Sequence, residues 1–270
     1  GDLGELTSFE GRKLTAQIAA EADVLLVRSI TKVNEALLAS NSSLRFVGTA
    51  TIGVDHIDQA YLAGRKVSFS SSPGCNAISV AEYVISALTV LAERYLLTLR
   101  DLNVGIIGAG NTGSRLSEKL TALGIKHVLC DPILEGEESD HRDFVSLEKA
   151  LACDVISCHV PLTLKGDHAT YHLLDQIRLE KLREDQILIS ACRGEVIDNQ
   201  ALLKMKKRGH GLKLVLDVWE GEPHILQPLI EFTEISTAHI AGYSLEGKAR
   251  GTEMLYQALC KQLEISPVHK

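Results

Sequence analysis

Three segments late in the chain each follow a short apolar run with polar residues of complementary chemistry. Residues 187–190 lead to Ala191-Cys192-Arg193-Gly194, residues 214–216 lead to Asp217-Val218-Trp219-Glu220-Gly221-Glu222-Pro223, and residues 235–237 lead to Ala238-His239-Ile240-Ala241-Gly242-Tyr243. Arginine's planar fork can hold a carboxylate through two parallel hydrogen bonds and polarise the oxygen on the neighbouring carbon. Histidine, with an ordinary pKa of ~6.5, can exchange a hydroxyl proton near neutrality. A glutamate bonded to the other imidazole nitrogen fixes the tautomer and stabilises the imidazolium. Arg193, Glu222 and His239 are therefore the candidate catalytic set. Singly, each has a plainer reading: a surface ion pair, a solvated loop charge, a rim histidine. Their joint delivery by three strand ends, where parallel sheets open onto ligands, is what argues for chemistry.

The partner for that chemistry is written between Asn103 and Asp131. Val104, Ile106 and Ile107 form a strand-type run that ends in Gly108-Ala109-Gly110-Asn111-Thr112-Gly113, and Leu116, Leu120 and Leu123 follow at helical spacing. Gly108 can make a tight turn, Gly110 has no Cβ to obstruct a pyrophosphate, and Gly113 lets the helix approach the strand. The helix N-terminus offers N–H groups and a positive dipole end to phosphates. Asp131, 18 residues beyond Gly113, would accept from ribose hydroxyls and repel a 2′-phosphate, which points to NAD over NADP. Beside a nicotinamide, the Arg/Glu/His set suits hydride transfer from C2 of a 2-hydroxy acid.

Composition excludes other classes. A chain of 270 residues, 45% hydrophobic, can bury the cores of two domains. A formal charge of -7 argues against nucleic acid or an anionic membrane as partner, because both need a basic surface to displace counterions. Six cysteines without a C-x-x-C pair, several in apolar runs, fit reduced core thiols in a cytoplasmic protein. No apolar run is long enough for a membrane span, and no basic-then-apolar leader is visible.

The elements that position these groups alternate strand and helix, as a doubly wound α/β sheet requires. Strands are predicted at residues 22–27, 44–49, 67–70 and 155–160, and a long helix at 77–93 that crosses between domains as a hinge. Arg28-Ser29-Ile30-Thr31-Lys32, after the first strand, is a candidate anion cradle. Gly53 would turn backbone N–H groups toward a carboxylate, and Asp58 reads as a helix N-cap. His159, inside its strand, reads as a packed or rim histidine. His168 and His172 stand at i and i+4, a zinc-binding spacing on a helix; no third ligand accompanies them, so no metal is expected.

Several of these strings carry a likeness. The glycine turn, Ala191–Gly194 with Val196-Ile197-Asp198-Asn199, Leu216–Pro223 and His239-Ile240-Ala241-Gly242 resemble the D-isomer-specific 2-hydroxyacid dehydrogenases. Val27-Arg28-Ser29 with Thr31-Lys32-Val33-Asn34, Gly48-Thr49-Ala50-Thr51, Ser72-Pro73-Gly74-Cys75-Asn76-Ala77 and the run from Tyr243 to Thr252 are similar to a narrower branch that oxidises a phosphorylated 2-hydroxy acid. The likeness covers nearly the whole chain. It implies a Rossmann NAD domain at 77–244 and a smaller flavodoxin-like substrate-binding domain made of 1–76 and 245–270. It also implies Arg193 and Glu222 in the active site and His239 as acceptor of the C2 hydroxyl proton. Ser29, Thr51 and Tyr243 would touch substrate, with Arg28 and Lys32 at the phosphate end and Lys248 and Arg250 as further candidates. Gly108, Gly110, Asn111, Thr112, Gly113, Asp131, Val160, Ala191, Asp217 and Gly242 would hold NAD, with Asp217 near the nicotinamide carboxamide. Val160 stands where the family pattern has threonine, so only a backbone or packing contact carries over there. The family begins with a further strand and helix and ends in a dimerisation domain, and the chain is expected to be a form that lacks both. Two rival expectations are a sibling dehydrogenase for 3-phosphoglycerate or glyoxylate and a non-catalytic NAD-sensing protein.

Overall fold

The computed structural model describes residues 3–10 and 13–268. The chain falls into two compact units, Gly1–Asn76 with Leu245–Lys270, and Ala77–Ser244.

In the first unit, β1 (Val24–Val27), β2 (Phe46–Thr49) and β3 (Ser68–Ser70) form a parallel sheet in that order. Short helix α1 (Ala16–Ala19) precedes β1, α2 (Glu35–Leu38) and α3 (Gln59–Gly64) connect the strands, and Leu25, Val27, Leu38, Val47 and Leu62 belong to the core.

The second unit opens with α4 (Ala77–Tyr95). There follow β4 (Asn103–Ile107), α5 (Asn111–Leu123), β5 (Lys126–Cys130), α6 (Pro132–Glu135), α7 (Leu147–Leu151), β6 (Val155–Cys158), α8 (Gln176–Leu179), β7 (Ile187–Ser190), α9 (Asn199–Lys207), β8 (Lys213–Leu216) and β9 (Ile235–Ser236). The first unit's last helix, α10, spans Leu245–Gln262. The second sheet is parallel throughout, in the order β5-β4-β6-β7-β8-β9. The chain leaves β4 for β5 on one side and returns to β6 on the other, so the order reverses at β4, and this is where α/β sheets take ligands. Every residue of β6 and β7 is buried, which is why both are apolar apart from Ser157 and Ser190. Val84, Leu88 and Leu91 of α4, with Leu116 and Leu120 of α5, cover one face; Leu202 and Met205 of α9 cover the other. Each such leucine contributes on the order of 2 kcal/mol by leaving water.

Among the described residues seven side chains, Thr15, Asn34, Asp58, Asp131, Ser146, Asp175 and Asp198, cap the helices that follow them, each accepting the N–H three residues on. The Asp58 cap is as the sequence predicts. Strand ends are tighter than predicted: β1 starts at Val24, β2 at Phe46 and β3 at Ser68, β6 stops at Cys158 and β9 at Ser236. The trimmed residues lie in the segments adjoining the strands, although His159 N and Thr237 N still donate to Ile107 O and Leu216 O of the neighbouring strands. The helix at 77 runs on to Tyr95. Beyond β5, Phe144 pairs with Leu129 in a single parallel bridge, the remnant of a strand that the sequence does not announce. Among the described residues no helix is long and apolar enough to cross a membrane, and no cysteine is in a disulfide.

Candidate active site

The glycine turn lies between β4 and α5 at the point of reversal. Gly108 has φ +91°, and a Cβ there would meet the His159 carbonyl at 2.7 Å and Val160 Cγ1 at 2.9 Å. A Cβ on Gly113 would lie 2.0 Å from the Gly108 carbonyl oxygen, so helix and turn touch only because no side chain intervenes. Gly110 faces open space and caps α5 without a side-chain hydrogen bond, which leaves the first turn of Asn111, Thr112 and Gly113 uncapped. Such a cradle fits a dinucleotide's diphosphate. Asp131, at the end of β5, accepts from Ala109 N at 2.9 Å and from Leu134 N at 3.2 Å. It therefore braces the turn besides facing it. Arg142, which the sequence reading missed, donates to Ala109 O and Ser114 Oγ at 2.9 Å each and pairs with Asp140.

The three polar tips emerge from neighbouring strands. Arg193 follows β7, Asp217 to Glu222 follow β8, and His239 follows β9. His239 Nδ1 and Glu222 Oε2 are 2.7 Å apart, and Glu222 Oε1 accepts from Trp219 N at 2.8 Å, so both carboxylate oxygens are engaged. The hydrogen bond to Glu222 raises the His239 pKa above its ordinary value, against burial and the Arg193 charge, which lower it. Burial pushes the Glu222 carboxyl up, but the bonds from His239 and Trp219 and the charges of His239 and Arg193 outweigh it and hold Glu222 below the usual range. The Arg193 guanidinium thus bears on both partners. Its loop is seated by Gly194, where a Cβ would fall 1.9 Å from the Trp219 carbonyl carbon. Backbone meets backbone at that point, locking the Arg193 turn to the Glu222 turn.

Asp217 is 1% exposed. It accepts from Thr237 Oγ1 at 2.6 Å, Ile240 N at 2.7 Å and Ala241 N at 2.9 Å. Sequence reasoning assigns it to the cofactor; these bonds give it a second task, tethering the turn that carries His239. Ala191 and Gly242 lie half-buried just past β7 and beyond His239, and Val160 packs against the glycine turn.

His159 is not in a strand but one residue beyond β6. It is half-buried, with Nε2 at 2.8 Å from Ser157 Oγ, and desolvation lowers its pKa to about 4. The predicted histidine pair is absent as a helical pair, because residues 168–172 form turns. His172 instead meets Glu220 at 2.6 Å and Asp198 at 3.9 Å. These three offer ligand atoms within 4.8 Å of one another, a grouping invisible in sequence because its members lie on separate loops. Its shortest contact is already an imidazole–carboxylate hydrogen bond.

In the first unit, Thr51 Oγ1 lies 2.9 Å from Gly53 O and 2.8 Å from Thr49 Oγ1, which is 2.9 Å from His56 Nε2. All three bonds form together only if His56 donates to Thr49, Thr49 to Thr51 and Thr51 to Gly53 O. Thr51 therefore keeps a lone pair and no proton for a ligand. Gly53 contributes its carbonyl to this ladder. Arg250 Nη1 donates to Cys75 O at 3.1 Å. The charges of Arg28 and Arg250 both lower the Cys75 pKa, though burial outweighs them and raises it. Arg28, Ser29 and Lys32 are exposed after β1, and Tyr243, in the second unit, is 68% exposed.

Comparison with known proteins settles the family. Residues 85–241 match the model of the D-isomer specific 2-hydroxyacid dehydrogenase, NAD binding domain. A relative in Colwellia psychrerythraea named erythronate-4-phosphate dehydrogenase is 65% identical over 277 residues, covering 100% of this chain and 70% of that protein. The chain belongs to the D-isomer specific 2-hydroxyacid dehydrogenase family. That membership makes it an NAD-dependent oxidoreductase acting on a CH–OH group. A Shewanella oneidensis protein of the same name is 58% identical over 266 residues, covering 98% of the chain and 70% of the relative. Among solved structures, D-lactate dehydrogenase from Aquifex aeolicus, complexed with NAD and lactic acid, superposes with a TM-score of 0.75 at 25% identity, covering 95% of this chain and 90% of that one. The NAD-bound 3-phosphoglycerate dehydrogenase of Entamoeba histolytica, at 23% identity and TM-score 0.75 over 97% of this chain and 87% of that one, shares the fold.

Proposed function

We propose that this chain oxidises 4-phospho-D-erythronate at C2 to 2-oxo-3-hydroxy-4-phosphobutanoate, with NAD, in the synthesis of pyridoxal 5′-phosphate (vitamin B6). The observation that carries the reading is the 2.7 Å bond between His239 Nδ1 and Glu222, with the Arg193 charge acting on both. The substrate follows from relatives of that name at 55–65% identity.

Since Nδ1 is engaged by Glu222, Nε2 is the nitrogen that takes the C2 hydroxyl proton, and Glu222 stabilises the imidazolium that results. Arg193 holds the substrate carboxylate and polarises the C2 oxygen. NAD, when bound, supplies the hydride acceptor. Gly108, Gly110, Asn111, Thr112 and Gly113 would hold its diphosphate and Asp131 its ribose, with Val160, Ala191, Asp217 and Gly242 completing the cradle. Ser29, Thr51 and Tyr243 would contact substrate, Thr51 accepting from a hydroxyl. Arg28 with Arg250, and Lys32, are the cations for the phosphate. Six cysteines, none in a disulfide among the described residues, suit a reducing cytosol.

The test is the near-ultraviolet absorbance of NADH on mixing protein and NAD with 4-phosphoerythronate, 3-phosphoglycerate or glyoxylate. Turnover of 4-phosphoerythronate in preference supports the proposal. Preference for another acid reassigns the substrate, and no signal from a folded, NAD-binding sample removes the enzymatic reading.

A further inference from the structure

Three consecutive backbone N–H groups around the candidate base end on one residue. His239 N donates to Asp217 O at 2.7 Å, Ile240 N to Asp217 Oδ1 at 2.7 Å and Ala241 N to Oδ2 at 2.9 Å. His239 itself has φ +56°, a left-handed conformation that a non-glycine residue holds only when its surroundings enforce it. The Asp217 carbonyl thus holds His239 itself and the Asp217 carboxylate holds the two residues after it, so Asp217 anchors the turn from which the imidazole projects.

A directed chain of hydroxyls sets that orientation. Thr237 Oγ1 is 2.6 Å from Asp217 Oδ1, and an ionised carboxylate can only accept, so the single Thr237 proton goes to Asp217. Tyr83 Oη is 2.7 Å from the same Thr237 oxygen, so Tyr83 must donate to it. Trp219 Nε1 fixes the Thr237 backbone by donating to its carbonyl at 2.9 Å. The path runs from α4 through Thr237 to the Asp217 carboxylate and thence to the backbone N–H groups of Ile240 and Ala241, next to His239. Bonds to a charged acceptor are the stronger kind and reward this alignment. Burial and the Asp217 charge both raise the Tyr83 pKa, which keeps it a donor across the neutral range.

We propose that Tyr83 and Thr237 are positioning residues for His239, acting through Asp217 to hold the imidazole against Glu222. The inference rests on His239 being the base of the proposed reaction, so its test includes a readout independent of turnover. In the full chain, Thr237→Val removes the hydroxyl at nearly constant shape, Thr237→Ser retains it, and Tyr83→Phe removes the donor behind it.

Relative to the parent, Thr237→Val should lower kcat about tenfold or more while KM and NAD affinity stay within about twofold, the pattern of a lost orientation effect. Thr237→Ser should restore kcat to within about threefold, and Tyr83→Phe should lose less than Thr237→Val. The independent readout is the imidazole titration of His239 followed by NMR, assigned by its disappearance in His239→Ala. The groups acting on that imidazole are Glu222, Asp217 and Arg193, and Thr237→Val should shift the titration to lower pH as the bond to Glu222 loosens. An unmoved titration overturns the proposal, whether or not the protein turns over 4-phosphoerythronate. So does a kcat loss that serine fails to restore, or one matched by equal loss of NAD binding. If Thr237→Val does not fold, Tyr83→Phe carries both measurements. Absence of turnover with the expected titration shift removes the proposed reaction and leaves the positioning intact.

Discussion

His239 and Glu222 meet at 2.7 Å although each stands in a turn, one beyond β9 and the other beyond β8. Neither turn is long, and each is fixed by backbone contacts: Glu222 by the Trp219 N–H, His239 by its own N–H on Asp217. Hydrogen bonds from the turn after β8 thus hold a pair that exposed side chains could not maintain unaided.

Replacing His239 with alanine removes the proton acceptor without touching the glycine turn. Turnover should fall by roughly three orders of magnitude, the range for a general base, while NAD affinity, read by fluorescence titration, stays within about twofold. A large loss of NAD binding would show that the ring serves the cofactor instead.

The Glu222 bond raises the His239 pKa, and oxidation needs the neutral ring. The oxidation rate should therefore climb as pH rises through a value above the ordinary ~6.5. Glu222→Gln removes the charge that favours the imidazolium, so the climb should move toward lower pH while the plateau drops. An unmoved pH profile would separate Glu222 from the base.

His159 is neutral and half-buried, its pKa lowered from 6.5 to about 4. The sign follows from which state binds the proton first. As pH falls below 6.5, the unfolded chain protonates this histidine while the folded chain does not, so stability declines between pH 6.5 and about 4. At about 1.4 kcal/mol for each pH unit between the two values, the loss approaches roughly 3 kcal/mol. His159→Gln should flatten that part of the thermal-midpoint profile; a slope identical to the parent's would assign acid sensitivity elsewhere.

Gly194→Ala places a methyl 1.9 Å from the Trp219 carbonyl carbon and 2.3 Å from Glu220 N. Those are backbone atoms with little freedom to yield, so about 1–3 kcal/mol of stability should be lost. Activity should suffer further, because the displaced turns carry Arg193 and Glu222. Urea unfolding beside kcat measures both, and wild-type values for each would contradict the packing described.

Asp131 both faces the cofactor cradle and braces Ala109 and Leu134. Asp131→Ser should raise the NADP to NAD ratio of kcat/KM by relieving repulsion of a 2′-phosphate. It should also cost about 1 kcal/mol of stability, because serine has one oxygen where Asp131 uses two and the brace to Ala109 N is lost. Unchanged cofactor preference would leave Asp131 a brace alone.

Much of this was legible in the residues. The glycine turn declares itself because strand, turn and helix are contiguous, and Arg193, Glu222 and His239 could be grouped because parallel strands end on one side of their sheet. What escaped is what depends on distant packing. The Tyr83 hydroxyl reaches Thr237 across 154 positions, and no local pattern marks either. Arg142 supports the glycine turn from a loop whose path no periodicity records. Family likeness marks Asp217 as a cofactor contact, whereas its hold on residues 237–241 depends on hydrogen bonds that no local pattern announces. The strand boundaries shifted because apolar residues next to a strand look like members of it until the ladder is drawn.

The strand that delivers His239 is the shortest in its sheet, pairing with β8 only at Ile235 and Ser236 and flanked by no further strand among the described residues. An outer strand paired at two residues is held on one side alone, and its amides should exchange with deuterium before those of β4, β6 and β7. The acid–base group thus hangs from the least-paired edge of the sheet and the nucleotide turn from its centre, so loss of chemistry on warming should precede loss of cofactor binding.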